Sequence, residues 1–144
     1  MKKGFTLIEL LVVLGIIAVL AAIVIVALNP ARQFAQARNT QRVSNVNAVL
    51  NAVGQRMVDD KGLWDSTCGA VTVTLPSSAT NIGSGAGLID LEACLVPTYI
   101  SEMVLDPSNG TTADTGYQIF LDTNNRTVVS APAAELGETV SVTR

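Results

Sequence analysis

Hydrophobic positions follow two different patterns along the chain. From Leu10 to Leu28 the sequence is an unbroken run of apolar residues and glycine, and within residues 5–28 the only ionisable side chain is Glu9. A helix of about 20 apolar residues spans bilayer hydrocarbon, so this segment predicts a membrane span. Further on, Val43, Val46, Leu50, Val53 and Met57 recur at alternating intervals of three and four. That is the stripe of an amphipathic helix with coiled-coil-like period. Gln41, Arg42, Asn45, Asn47, Asn51, Gln55 and Arg56 supply its polar side. The helix is predicted to end near Asp59-Asp60, ahead of Gly62 as a stop, although two acids at that end oppose the helix dipole. Pro30 removes a backbone donor and disfavours a helical Asn29, which predicts a kink or break at Leu28–Pro30. Gly15 is a second, weaker point within the span.

Beyond residue 61 the period changes. Ala70–Leu75 alternates β-branched and small residues and is stopped by Pro76-Ser77-Ser78, which predicts a strand. Residues 81–87 form a Gly/Ser-rich loop, and short helices are predicted at Leu88–Leu95 and Tyr99–Leu105. Tyr117–Leu121 and Thr127–Ser130 read as strands joined by Asp122-Thr123-Asn124-Asn125-Arg126, whose asparagines tolerate positive φ. A last strand covers about Glu138–Val142. The expected fold is α+β: a long N-terminal helix, its second half packed on a small antiparallel sheet.

Composition removes several classes of function. There is no histidine among 144 residues, so His-dependent catalysis and His metal sites are excluded. Aromatics make up 4%, too few for a stacking platform on single-stranded nucleic acid, and the net charge of −3 argues against a polyanion binder. No nucleic-acid partner and no enzymatic activity are expected. The charge is segregated: Arg32, Arg38, Arg42 and Arg56 lie on the stalk, whereas nearly all charges after Gly62 are acidic. Two readings follow, ordinary solvated surface or attraction between the head of one copy and the stalk of another.

Cys68 and Cys94 enclose a loop rich in Gly, Ser, Thr and Ala. So wide a spacing without His is a poor metal site. In an exported chain the pair reads as a disulfide pinning that loop, and in a cytosolic one as two buried thiols. Asp106, Ser108, Asn109, Asp114 and Asp122 offer oxygens of the kind calcium takes, but without EF-hand spacing, and Asp-Pro and Asn-Gly form turns on their own account.

The N-terminus reads Met1-Lys2-Lys3-Gly4-Phe5-Thr6-Leu7-Ile8-Glu9 before the apolar run. The run is longer than the core of an ordinary secretory signal, and Ala35-Gln36-Ala37 imitates a cleavage site beyond it. Charges flank the span on both sides, so the positive-inside rule leaves topology open. A lone acid in such a segment belongs near an interface or beside a partner. If the chain is cut after Gly4, the new ammonium of Phe5 lies about one helical turn from Glu9.

This basic leader, Gly-Phe junction, acid and apolar span resemble the class III leader of bacterial type IV prepilins and type II secretion pseudopilins. The order of helix, loop and sheet is also similar, and Met103-Val104-Leu105-Asp106-Pro107 with Gly110 and Tyr117 resembles the loop before the sheet in major pseudopilins. The resemblance implies cleavage between Gly4 and Phe5 by a prepilin peptidase, N-methylation of Phe5, and neutralisation of that amine by Glu9 of a neighbouring subunit. It further implies that Gly15 and Pro30 bound a stretch that loosens in the filament. The division expected is a leader at 1–4, a membrane and filament-core helix at 5–28, its amphipathic half at 29–61 and a head at 62–144. The expected function is a pilin that polymerises into a type IV pilus. It would sit as a single-pass cytoplasmic-membrane protein with its head outside before assembly, and in an extracellular filament afterwards. Its implied partners are other copies, an inner-membrane assembly platform and minor pilins. The alternatives are a pseudopilin of a secretion or DNA-uptake system, and an anchored binding domain that never polymerises.

Overall fold

A computed structural model describes residues 4–144. Met1, Lys2 and Lys3, most of the expected leader, lie outside the described residues. The chain divides into two compact units, Met1–Ala35 and Gln36–Arg144.

In the first unit, helix α1 spans Leu7–Leu28. Thr6 caps it: its hydroxyl accepts from the Glu9 N–H at 3.3 Å, while the Glu9 carboxylate accepts from the Thr6 N–H at 2.8 Å. This reciprocal pair is a capping box, which satisfies backbone donors that a helix start leaves open. Apolar side chains surround α1 on every side, and it buries none of its residues. Such a helix is stable only against lipid or other apolar partners. It runs through Gly15 without interruption and stops at Asn29, which adopts the left-handed conformation with φ 43°. Pro30 then opens α2, Pro30–Asp59, where its missing N–H costs nothing. The expected disturbance at Leu28–Pro30 is therefore a full break between two helices.

In the second unit, α2 lies against a four-stranded antiparallel sheet in the order β3-β4-β5-β6. These strands are Thr80–Asn81, Gln118–Leu121, Thr127–Ala131 and Val140–Thr143, and β1 (Thr67–Cys68) and β2 (Val71–Thr72) form a separate small hairpin. One short helix, α3, covers Glu92–Leu95. The core joins Val46, Val49, Leu50 and Val53 of α2 to Leu91, Leu95, Tyr117, Ile119 and Val129.

Several predicted elements are corrected. The stripe on α2 is widened rather than replaced: Val46, Leu50 and Val53 are buried and Met57 packs against the core, but Val49 and Ala52 are buried beside them and Val43 is 44% exposed. The buried face continues towards the N-terminus through Asn39 and Arg42, two polar residues that a search for apolar positions passes over. The Ala70–Leu75 strand shrinks to β2; Val73 and Leu75 keep the alternation and are buried, but lie outside the ladder. Tyr99–Leu105 is turn and extended chain rather than helix. The N–H groups of Tyr99 and Ile100 both donate to the Leu95 carbonyl, closing the α3 turn, and Asn45 then holds the Leu105 carbonyl in extended chain. Strand β3 lies where no strand is predicted, and Leu88–Leu95 is helical only over its last four residues.

Candidate functional site

The first candidate is the start of α1. Phe5 is 84% exposed, and the Glu9 carboxylate also accepts from the Thr6 hydroxyl at 2.7 Å. The carboxylate is thus folded back over the N-terminal end of its own helix, beside the backbone where cleavage after Gly4 would create an amine. The pattern Thr6-Leu7-Ile8-Glu9 before an apolar run is itself a capping-box signature, a signal that the sequence carried and that the reading of Glu9 as a lone acid missed.

The second is a buried ionic lock between α2 and the head. The Arg42 and Asp106 side chains are both fully buried. The Arg42 guanidinium uses all five of its N–H donors. Nε and Nη2 donate to the two Asp106 oxygens at 2.7 and 3.1 Å, and Nη2 donates also to Ser108 Oγ at 2.7 Å. Nη1 donates to Asn39 Oδ1 at 3.0 Å and Glu135 Oε2 at 2.9 Å. Arg38 adds a second fork onto Glu135 at 2.7 and 2.6 Å. Burial alone would raise the Asp106 pKa, but hydrogen bonds from Arg42 and the Ser108 backbone outweigh it and hold the carboxyl below its usual range. The hydrogen bonds from Arg38 and Arg42 lower Glu135 to about 2. Arg42 is raised further above its ordinary value, chiefly by its hydrogen bond to Asp106.

The chain must wrap closely to enclose Asp106, and two glycines permit it. A Cβ on Gly110 would sit 2.2 Å from the Asp106 nitrogen, and one on Gly116, where φ is +80°, 2.7 Å from the Asp106 Cβ. The chain thus closes on Asp106 from two sides, Gly110 against its backbone and Gly116 against its Cβ. Beside it, the Tyr117 hydroxyl accepts from Asn45 at 2.8 Å.

These pairings answer the question of the segregated charges. Arg38 and Arg42 bind acids of their own head. Arg56 donates to the carbonyls of Cys94, Asp65 and Thr67 and lies 5.3 Å from the Trp64 ring centre. For these three residues the head-to-stalk attraction is internal to one chain. The acids considered for calcium each have partners of their own. Asp106 faces Arg42, Asp114 accepts from Asn81 and the Gly116 N–H, and Asp122 accepts from Arg126 in the β4–β5 turn. Among the described residues no group of three or more acidic or cysteine side chains converges on a metal-sized point. Cys68 and Cys94 form a disulfide with a Cα–Cα distance of 4.7 Å, tying β1 to α3.

Residues 1–25 match the family model described as the prokaryotic N-terminal methylation motif. The chain is 34% identical over 80 residues to the type IV wide pilus major component PilA4 of Thermus thermophilus; the match covers 56% of this chain and 60% of that protein. No solved structure matches significantly.

Proposed function

We propose, on the support that the leader motif and the pilus-component relative give to the type IV pilin family, that this chain is a structural subunit that polymerises through α1 into a type IV pilus. The observation that carries the reading is α1 itself, apolar on all sides, unburied, and lying largely within the methylation motif. Before assembly the helix would sit in the cytoplasmic membrane with the head outside; in the filament, copies of α1 would bury one another. A prepilin peptidase would cut between Gly4 and Phe5 and methylate the new amine, and an inner-membrane platform and minor pilins would act in assembly. The role is structural, with no catalytic step.

The Glu9 carboxylate supplies the charge that the Phe5 amine needs in an apolar filament core, because a buried charge without a partner is strongly unfavourable. Glu9→Ala removes it without hindering membrane insertion. In cells carrying only that copy, fibre yield should fall at least tenfold while full-length protein accumulates in the membrane, and Glu9→Gln should behave nearly the same. Wild-type fibre yield from Glu9→Ala cells would refute the pairing.

A further inference from the structure

We infer that Leu136 is a knob by which one copy of the chain docks on the next, seated over Gly54 in the groove beside α2. The inference rests on the filament reading above and assigns it a head contact.

Residues Glu135–Glu138 form a turn closed by the Glu138 N–H donating to the Glu135 carbonyl at 3.1 Å. Its central residues, Leu136 and Gly137, have φ of 61° and 72°. Two successive positive φ values are the type I′ pattern, whose first central position suits Asn, Asp or Gly. Leucine there carries the strain of the left-handed region, yet it remains 48% exposed, so burial within its own chain offsets that strain only in part. The turn is rigidly mounted. Buried Asn39 accepts from the Glu135 N–H at 2.9 Å, donates to the Glu135 carbonyl at 2.8 Å, and donates to the Glu138 carboxylate at 3.0 Å. A strained, half-exposed apolar side chain on a fixed support is preorganised to bind something.

Gly54 breaks a local rule in the opposite sense. Glycine inside a helix weakens it, and a Cβ at Gly54 would meet nothing within 4 Å, so packing within the chain does not demand it. Gly54 lines an open groove of about 660 Å³ together with Val58, which is 76% exposed, and Tyr99. Arg144, hydrogen-bonded to Asn51, also lines this groove, while the groove's acid, Asp59, accepts from the Tyr99 hydroxyl at 2.9 Å. Leu136 would arrive with the Glu138 carboxylate two residues away, opposite in charge to Arg144. The Glu138 carboxylate and the Arg144 guanidinium are the opposite charges that this seating would bring together.

They are also different patches. Gly54 lies 15 residues along α2 from the Asn39 that mounts the turn, about 22 Å at 1.5 Å per residue. A contact between two different patches is heterologous, and where its rotation does not close it propagates as a helical array.

The test uses cells whose only copy of the chain is a variant. Leu136→Asn suits the turn, so the melting midpoint of the head should be unchanged or higher while fibre yield falls at least tenfold. Gly54→Leu, which fills the groove, should lower yield to a similar degree. Leu136→Cys combined with Gly54→Cys should give a ladder of disulfide-linked multimers from oxidised fibres, where each single variant gives none. Wild-type fibre yield from Leu136→Asn, a lowered midpoint in that variant, or no ladder from the double variant would overturn the contact and leave the filament reading standing. Absence of fibres from the wild-type chain would overturn both.

Discussion

Replacing Arg42 with methionine tests the lock between α2 and the head. The side chain keeps comparable bulk but loses five donated hydrogen bonds, and it leaves Asp106 buried with only backbone N–H partners. Removing one member of a buried ion pair typically costs about 3–5 kcal/mol. Glu135 retains Arg38 and stays partly solvated, so most of the loss falls on Asp106. At roughly 4 °C per kcal/mol for a domain of this size, the midpoint should drop by about 12–20 °C. The readout is fluorescence of Trp64, the only tryptophan, whose indole N–H donates to the Val73 carbonyl at 2.8 Å, during urea or heat unfolding of the full chain in detergent. Arg42→Met with Asp106→Leu should be less destabilised than Arg42→Met alone, because replacing both charges removes the orphan. The pH dependence should also change sign. In the wild type the lowered pKa of Asp106 makes its contribution present above the unfolded value and lost as pH falls through the folded one. In Arg42→Met, burial without the guanidinium raises that pKa, so mild acid should stabilise the variant. A cost under about 1 kcal/mol, or a double variant worse than the single one, would refute the reasoning.

Four further outcomes follow from the head and α2. Glu135, lowered to about 2 by Arg38 and Arg42, should contribute stability that is intact above its unfolded value near 4.5 and lost as pH falls towards 2; Glu135→Gln should flatten this part of an acid titration followed by Trp64. Gly116→Ala should lower the midpoint through both positive φ and the clash with Asp106, by about 1–3 kcal/mol, whereas Gly54→Ala should raise helix stability by about 0.5–1 kcal/mol in the same denaturation assay. Reducing the Cys68–Cys94 disulfide should cost on the order of 3–4 kcal/mol, read as a lower urea midpoint in reductant; an unchanged midpoint would show that the loop holds without it.

The long-range plan was legible in the sequence because it rests on strong periodic signals. The apolar run, the Asn29-Pro30 break and the β4–β5 hairpin follow from composition, missing donors and turn residues close together in the chain. The lock was not legible. Arg42 and Asp106 are 64 residues apart, and each had a sound local explanation, a solvated stalk base and a turn acid. Their burial arises from tertiary packing. The glycines around Asp106 gave a local sign of close approach, but which atom they approach appears only in the fold. At Glu9 the capping box was present in the letters and was hidden by the more conspicuous question of a charge in an apolar span.

The filament reading is open to intact-mass analysis of surface fibres. Fibres built of this chain are expected, beginning at N-methylated Phe5 and carrying the Cys68–Cys94 disulfide. Fibres lacking the chain, or surface protein that retains Met1 or begins after Ala37, would contradict it.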